Sequence, residues 1–241
     1  MNQIFKITLY IFIVFSNAHA IKSYQELKHV RDFYEEIAPI SVELGLKYNV
    51  PPAAIMAIAG VESGYGRGYV SRITGNILSL GAGKSEVALP SLTLPISKDG
   101  KILYNQKEIS SYPKDQLTYK KRPKSLKKDY RPESIFGTNK HLDYFDNNPE
   151  KRKKAIKSNI KDFVTKWISK KHSFSPFRDS RTYLDKNKDK LFTKEVSQKF
   201  ISIIGGVPNG FNYRKSWVEK VNIILRKADL IELANKLKTK K

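Results

Sequence analysis

Pro51-Pro52-Ala53-Ala54-Ile55-Met56-Ala57-Ile58-Ala59-Gly60-Val61-Glu62-Ser63-Gly64-Tyr65-Gly66 is the stretch whose reading decides the fold. Pro52 suits a first helical position, and Ile55, Met56, Ile58 and Ala59 fill the turns that follow, so the run reads as a buried helix. Gly64 or Gly66 offers the left-handed cap that ends it. Glu62 then stands at the C-terminal end of a hydrophobic helix. The helix dipole is negative there and the surroundings are apolar, so both effects favour the protonated acid near neutral pH. A carboxylic acid that keeps its proton beside a cleft is what glycoside cleavage needs as a general acid. Placement alone favours the plainer reading, a solvated glutamate at a helix end.

Upstream, Ser23 to Leu46 reads as helical. Val30, Phe33, Tyr34 and Ile37 share a face, Ile40, Leu44 and Leu46 continue it, and Pro39 is expected to kink or divide it. Downstream, Gly64 to Gly83 is rich in glycine and short polar residues, which lets backbone approach a ligand. Apolar runs flank Lys98-Asp99-Gly100-Lys101 between Leu89 and Tyr104, the signature of a small β-hairpin. Tyr112 to Tyr130 reads as an exposed basic loop. Pro132-Glu133-Ser134 opens another helix, with Ile135, Phe136, Leu142 and Phe145 on its core face. Pro149 starts the next, with Ile156, Ile160, Phe163, Val164 and Trp167 inside. Thr193 to Ile204 is a further helix ended by Gly205-Gly206, and Trp217 to Leu225 and Ala228 to Leu237 close the chain. The expected fold is mainly α (α+β): one helical domain over 21–241 with a small β-hairpin lobe flanking a groove.

Lys6, the apolar run Ile7 to Phe15 and Ala18-His19-Ala20 have the three parts of a secretory signal peptide over 1–20. Its core is shorter than the ~20 residues of a spanning helix. The mature protein is expected to begin at Ile21, with no transmembrane anchor, in the periplasm or outside the cell, as a monomer. The chain has no cysteine, so thiolate nucleophiles and Cys-based zinc sites are excluded. His29, His141 and His172 are far apart, and Asp185 to Asp189 lacks the glycine and glutamate of a calcium loop. No metal and no cofactor are expected. The formal net charge of +22 suits a polyanionic partner. Export points to an anionic cell-wall surface rather than nucleic acid, and lysine usage of an A/T-rich genome accounts for part of the charge.

Three segments together carry a family resemblance. They are Ile37-Ala38-Pro39 through Tyr48-Asn49-Val50-Pro51-Pro52, then Ala57 to Gly68, then Gly75-Asn76-Ile77-Leu78-Ser79-Leu80-Gly81. They resemble the glucosaminidase family of peptidoglycan hydrolases (glycoside hydrolase family 73, lysozyme-like superfamily). Tyr213 to Val221 looks like that family's closing helix, whereas Gly83 to Arg131 departs from its pattern. The resemblance implies Glu62 as the catalytic acid, Asn76 as a turn or sugar-binding asparagine, and peptidoglycan glycan strands as substrate. It also implies a second acid on the β-lobe, for which Glu86, Asp99 and Glu108 are the candidates. Tyr65 and the weaker Tyr69 would stack on sugars, and Tyr213 would hold an acetamido group.

The leading expectation is hydrolysis of a β-1,4 bond of the glycan strand. Either a second carboxylate or the substrate's own 2-acetamido group would stabilise the oxocarbenium-like centre. A lytic transglycosylase would use the same glutamate, although the Gly-Leu-Met-Gln-like segment usual in that class is absent. A non-catalytic basic wall-binding protein is the alternative from another class, and it would leave Glu62 dispensable.

Overall fold

The computed structural model describes residues 23–136 and 138–239. The leader read from residues 1–20 lies outside them. The described chain is mainly α-helical with one two-stranded antiparallel sheet. Among the described residues no helix is long and apolar enough to cross a membrane.

Helix α1 (Lys28–Tyr48) ends on Asn49 in the left-handed conformation, and α2 (Pro52–Ser63) follows with proline in its first turn. Pro39 does not divide α1. It sits on the exposed side, as does Glu35, whose carbonyl the proline leaves without an amide partner, so water can take that place. Every residue from Pro52 to Gly60 is buried. A helix apolar on all sides must be central, and α2 is packed against α1, α8 (Lys194–Ile204), α9 (Lys215–Lys227) and α10 (Leu230–Lys238). The glycine-rich stretch after it contains a helix that its composition hides, α3 (Tyr69–Thr74).

The β-lobe is wired differently from the hairpin expected. Strand β1 (Leu92–Ser97) does end on the Lys98-Asp99-Gly100 turn, with Gly100 at φ 80°. The returning arm, however, pairs only briefly, through Ile102 opposite Ile96. The chain then forms α4 (Gln106–Ser111) and comes back as β2 (Leu117–Arg122), which runs antiparallel to β1 from Leu92↔Arg122 to Ser97↔Leu117. Strand β2 is the segment read as a basic loop. Its Tyr119, Lys120 and Lys121 are exposed, and a lysine-bearing edge strand is blunted against pairing with other chains, which erases the alternation that marks a strand. A separate small core of Ile73, Leu89, Leu92, Leu94, Tyr104 and Leu142 holds the lobe.

Residues 133–136 and 138–147 form two short 3-10 turns and the one-turn α5 (Tyr144–Asn147) rather than the helix expected, because Phe136 and Thr138 take extended backbone. Helix α6 (Pro149–Asp162) starts at its proline and passes into a π-turn, Phe163–Trp167. Helix α7 (Ser175–Asp185) was not legible in advance; α8 begins one residue after the helix start read at Thr193, whose hydroxyl caps it by accepting from Val196 N–H.

Candidate active site around Glu62

Glu62 lies in the last turn of α2. The helix stops at Gly64 (φ 55°), and Tyr65 (φ 55°) and Gly66 (φ 76°) continue in the left-handed region. For tyrosine that backbone is unfavourable by about 1–2 kcal/mol. Its ring repays part of this by packing edge-on against His29, Phe33 and Tyr34, with centroids 6.0–6.2 Å apart. Ser63 stiffens the turn from inside. Its hydroxyl donates to the Ala59 carbonyl at 2.6 Å and accepts from Gly66 N–H at 2.8 Å.

The Glu62 carboxyl has a specific partner. Trp217 Nε1–H donates to Glu62 Oε1 at 2.7 Å, joining residues 155 positions apart. The indole reaches it by lying on the backbone of Gly205, where a Cβ would stand 2.2 Å from Cζ3 and 2.4 Å from Cε3 of the ring. No other residue type leaves room for the indole there. Burial raises the pKa of Glu62, and the Trp217 bond and the Lys127 charge counter it only in part.

Lys127 is the second residue that sequence reasoning passed over, having noted it only within a basic loop. Backbone bonds tie 80–89 to 125–129: Ala82 N–H to Leu126 O (2.7 Å), Leu89 N–H to Lys127 O (2.9 Å) and Lys128 N–H to Leu80 O (2.9 Å). They bring the Lys127 ammonium to 2.6 Å from the carbonyl of Ser79, a residue at φ 55°. Glu62 thus accepts an indole N–H from α9, and the positive charge of Lys127, on the strap beside the lobe, favours its ionised form.

The other expected site residues are placed as follows. Asn76 is buried, and its amide is fully used. Nδ2 donates to the carbonyls of Leu80 and Lys128, while Oδ1 accepts from Leu80 N–H and Asn159 Nδ2. That exhausts its capacity, so the sugar-binding role gives way to the turn role. Tyr65 is half-buried against α1, and packing, not an open stacking face, is what its ring does here. Tyr213 is 69 % exposed, four residues before Trp217. Tyr69 lies under the guanidinium of Arg122.

Glu86 is bound into an ion-pair cluster with Lys128 and Lys166, which also hold Asp162. Partial burial opposes its ionisation. The two ammonium groups and Gly83 N–H outweigh that and hold its pKa at about 2. Asp99 accepts from the Ser97 hydroxyl within the β-turn, and Glu108 pairs with Lys101 at 2.7 Å. Lys128, Lys166 and Gly83 N–H hold Glu86, the Ser97 hydroxyl holds Asp99, and Lys101 holds Glu108. None of those contacts is to Glu62, Trp217 or Lys127.

No family model matches the sequence, and no curated protein matches it. Among solved structures, the catalytic domain of the autolysin Auto from Listeria monocytogenes is similar, at 15% identity over 85% of this chain and 87% of that one, with a TM-score of 0.46.

Proposed function

We propose that this chain is an exported peptidoglycan hydrolase that cleaves β-1,4 glycosidic bonds of the glycan strand, with Glu62 as general acid. The observation that carries this reading is the Glu62 carboxyl itself. It is desolvated at the end of an apolar helix, held by Trp217, and biased to keep its proton. Trp217 Nε1–H can only donate, so Oε1 is the acceptor and the acidic proton resides on Oε2. Oε2–H is the group that protonates the leaving glycosidic oxygen as positive charge grows on the departing sugar. Once ionised, the same carboxylate takes a proton from the attacking water.

Glu86, Asp99 and Glu108 are committed to lysines or to a turn, which favours assistance by the substrate's 2-acetamido group over a protein nucleophile. Tyr213, exposed and close in sequence to Trp217, is suited to hold that acetamido group. A site with one acid equally fits a lytic transglycosylase, so the products decide. Purified protein incubated with sacculi should release muropeptides with reducing ends, as measured by mass spectrometry. Anhydro ends would assign transglycosylation, and no soluble fragments at all would leave only a binding role. Export rests on the leader sequence. N-terminal sequencing of the protein from the periplasm or medium is expected to start at Ile21, and a cytoplasmic, full-length chain would contradict it.

A further inference from the structure

Helix α6 carries its cations on two faces. On one, Arg152 pairs with Glu36 and Lys157 with Glu43, each at 2.7 Å, and both acids belong to α1. On the other, Lys151, Lys154 and Ser158 follow the spacing i, i+3, i+7 that aligns side chains along one side of a helix. All three are exposed, and among the described residues no ion pair or side-chain hydrogen bond engages them.

Arg131 faces this row from the strap. Its Nε donates to both oxygens of Asp129 at 3.1 Å, and its Nη2 donates to Oδ2 at 2.6 Å. Both side chains are fully buried. Nη1 of Arg131 is buried too, and it has no partner. A buried donor left unpaired is costly to the fold, so one that persists points to a partner from outside.

Arg131, Lys151, Lys154 and Ser158 line one cavity of about 240 Å³, with Phe145 and Ala155 among its walls. A single water needs only on the order of 10–15 Å³. None of the residues lining the cavity is acidic, and none is Glu62, Trp217 or Lys127. Asp129 neutralises the Arg131 guanidinium, so the two ammonium groups supply the attraction. Nη1 and the Ser158 hydroxyl supply directed donors. Donors from four side chains suit a tetrahedral oxyanion better than a carboxylate, which has only two oxygens to share among them. We propose that this cavity binds a phosphate group, free or esterified. The site stands apart from the Glu62 carboxyl and does not depend on the hydrolase reading.

Isothermal titration calorimetry of the protein with inorganic phosphate, at ionic strength held constant with chloride, tests it. One saturable site is expected. Lys151→Gln with Lys154→Gln should weaken binding by about tenfold or more. Lys153→Gln with Lys161→Gln removes the same charge from α6 outside the cavity and should leave the affinity unchanged. Ser158→Ala changes no charge and should still weaken binding. Glycerol 3-phosphate as a second titrant separates the sources: equal binding assigns an esterified phosphate, and binding of inorganic phosphate alone assigns the free ion. Three results would overturn the site. They are no saturable heat, equal losses in the two lysine pairs, which would mean only general attraction by the basic surface, or acetate binding as tightly as phosphate.

Discussion

Glu62→Gln is expected to reduce solubilisation of sacculi by ~10²–10⁴-fold, the usual yield of general acid–base catalysis. Gln keeps an amide oxygen for Trp217 Nε1–H at the position of Oε1 but has no proton to transfer. The fold should survive and gain. Burial raises the Glu62 pKa above its ordinary 4.5, so the folded state holds a proton that the unfolded chain releases. The resulting cost to stability is absent below 4.5, grows as pH rises from there to the folded pKa, and is constant above it. Glu62→Gln protein should therefore melt at or above the wild-type temperature at neutral pH, with the advantage vanishing below 4.5. Wild-type activity should fall as pH rises through the folded pKa, because the acid is then ionised. Glu86→Gln, Asp99→Asn and Glu108→Gln, made singly, test the acetamido route. A loss at any one of them as deep as that at Glu62 would favour a two-carboxylate mechanism instead. Wild-type solubilisation by Glu62→Gln would end the proposal of Glu62 as acid.

Trp217→Phe should have the next largest effect. The phenyl ring keeps the contact with Phe211 and the seat on Gly205 but loses the N–H that fixes Oε1. Misplacing an acid by about 1 Å can cost on the order of 10²-fold, so a drop of roughly 10- to 100-fold is expected. The Trp217 bond lowers the Glu62 pKa against the effect of burial. Its removal should therefore move the alkaline limb of the kcat/KM profile to higher pH. A merely structural role for Trp217 would reduce the rate and leave that limb where it was. An unshifted limb, with near-UV circular dichroism showing an intact core, would remove Trp217 from the positioning of Glu62.

Features of this chain that depend on neighbouring residues were legible beforehand. An unbroken apolar run of α2, with Pro52 at its start and Gly64 behind it, has one low-energy outcome: a central helix ending where Glu62 stands. Thr193 before α8, Pro149 before α6 and the Asp99-Gly100 turn are likewise local signals that tertiary packing left in place. Pairings over long sequence distance were not legible. The partner of β1 proved to be a lysine-rich segment that begins at Leu117, well beyond the turn, because an edge strand needs only backbone groups to pair and its side chains are free to be polar. For Asn76 the sequence favoured the turn over the sugar, and the carbonyl of Lys128 and the amide of Asn159 took up its last hydrogen bonds. Glu62 gained its indole donor from α9 and the electrostatic influence of Lys127 only on folding. Local sequence sets backbone preference and burial, but which donor meets a given carboxylate depends on helix packing and on the absence of a side chain at Gly205.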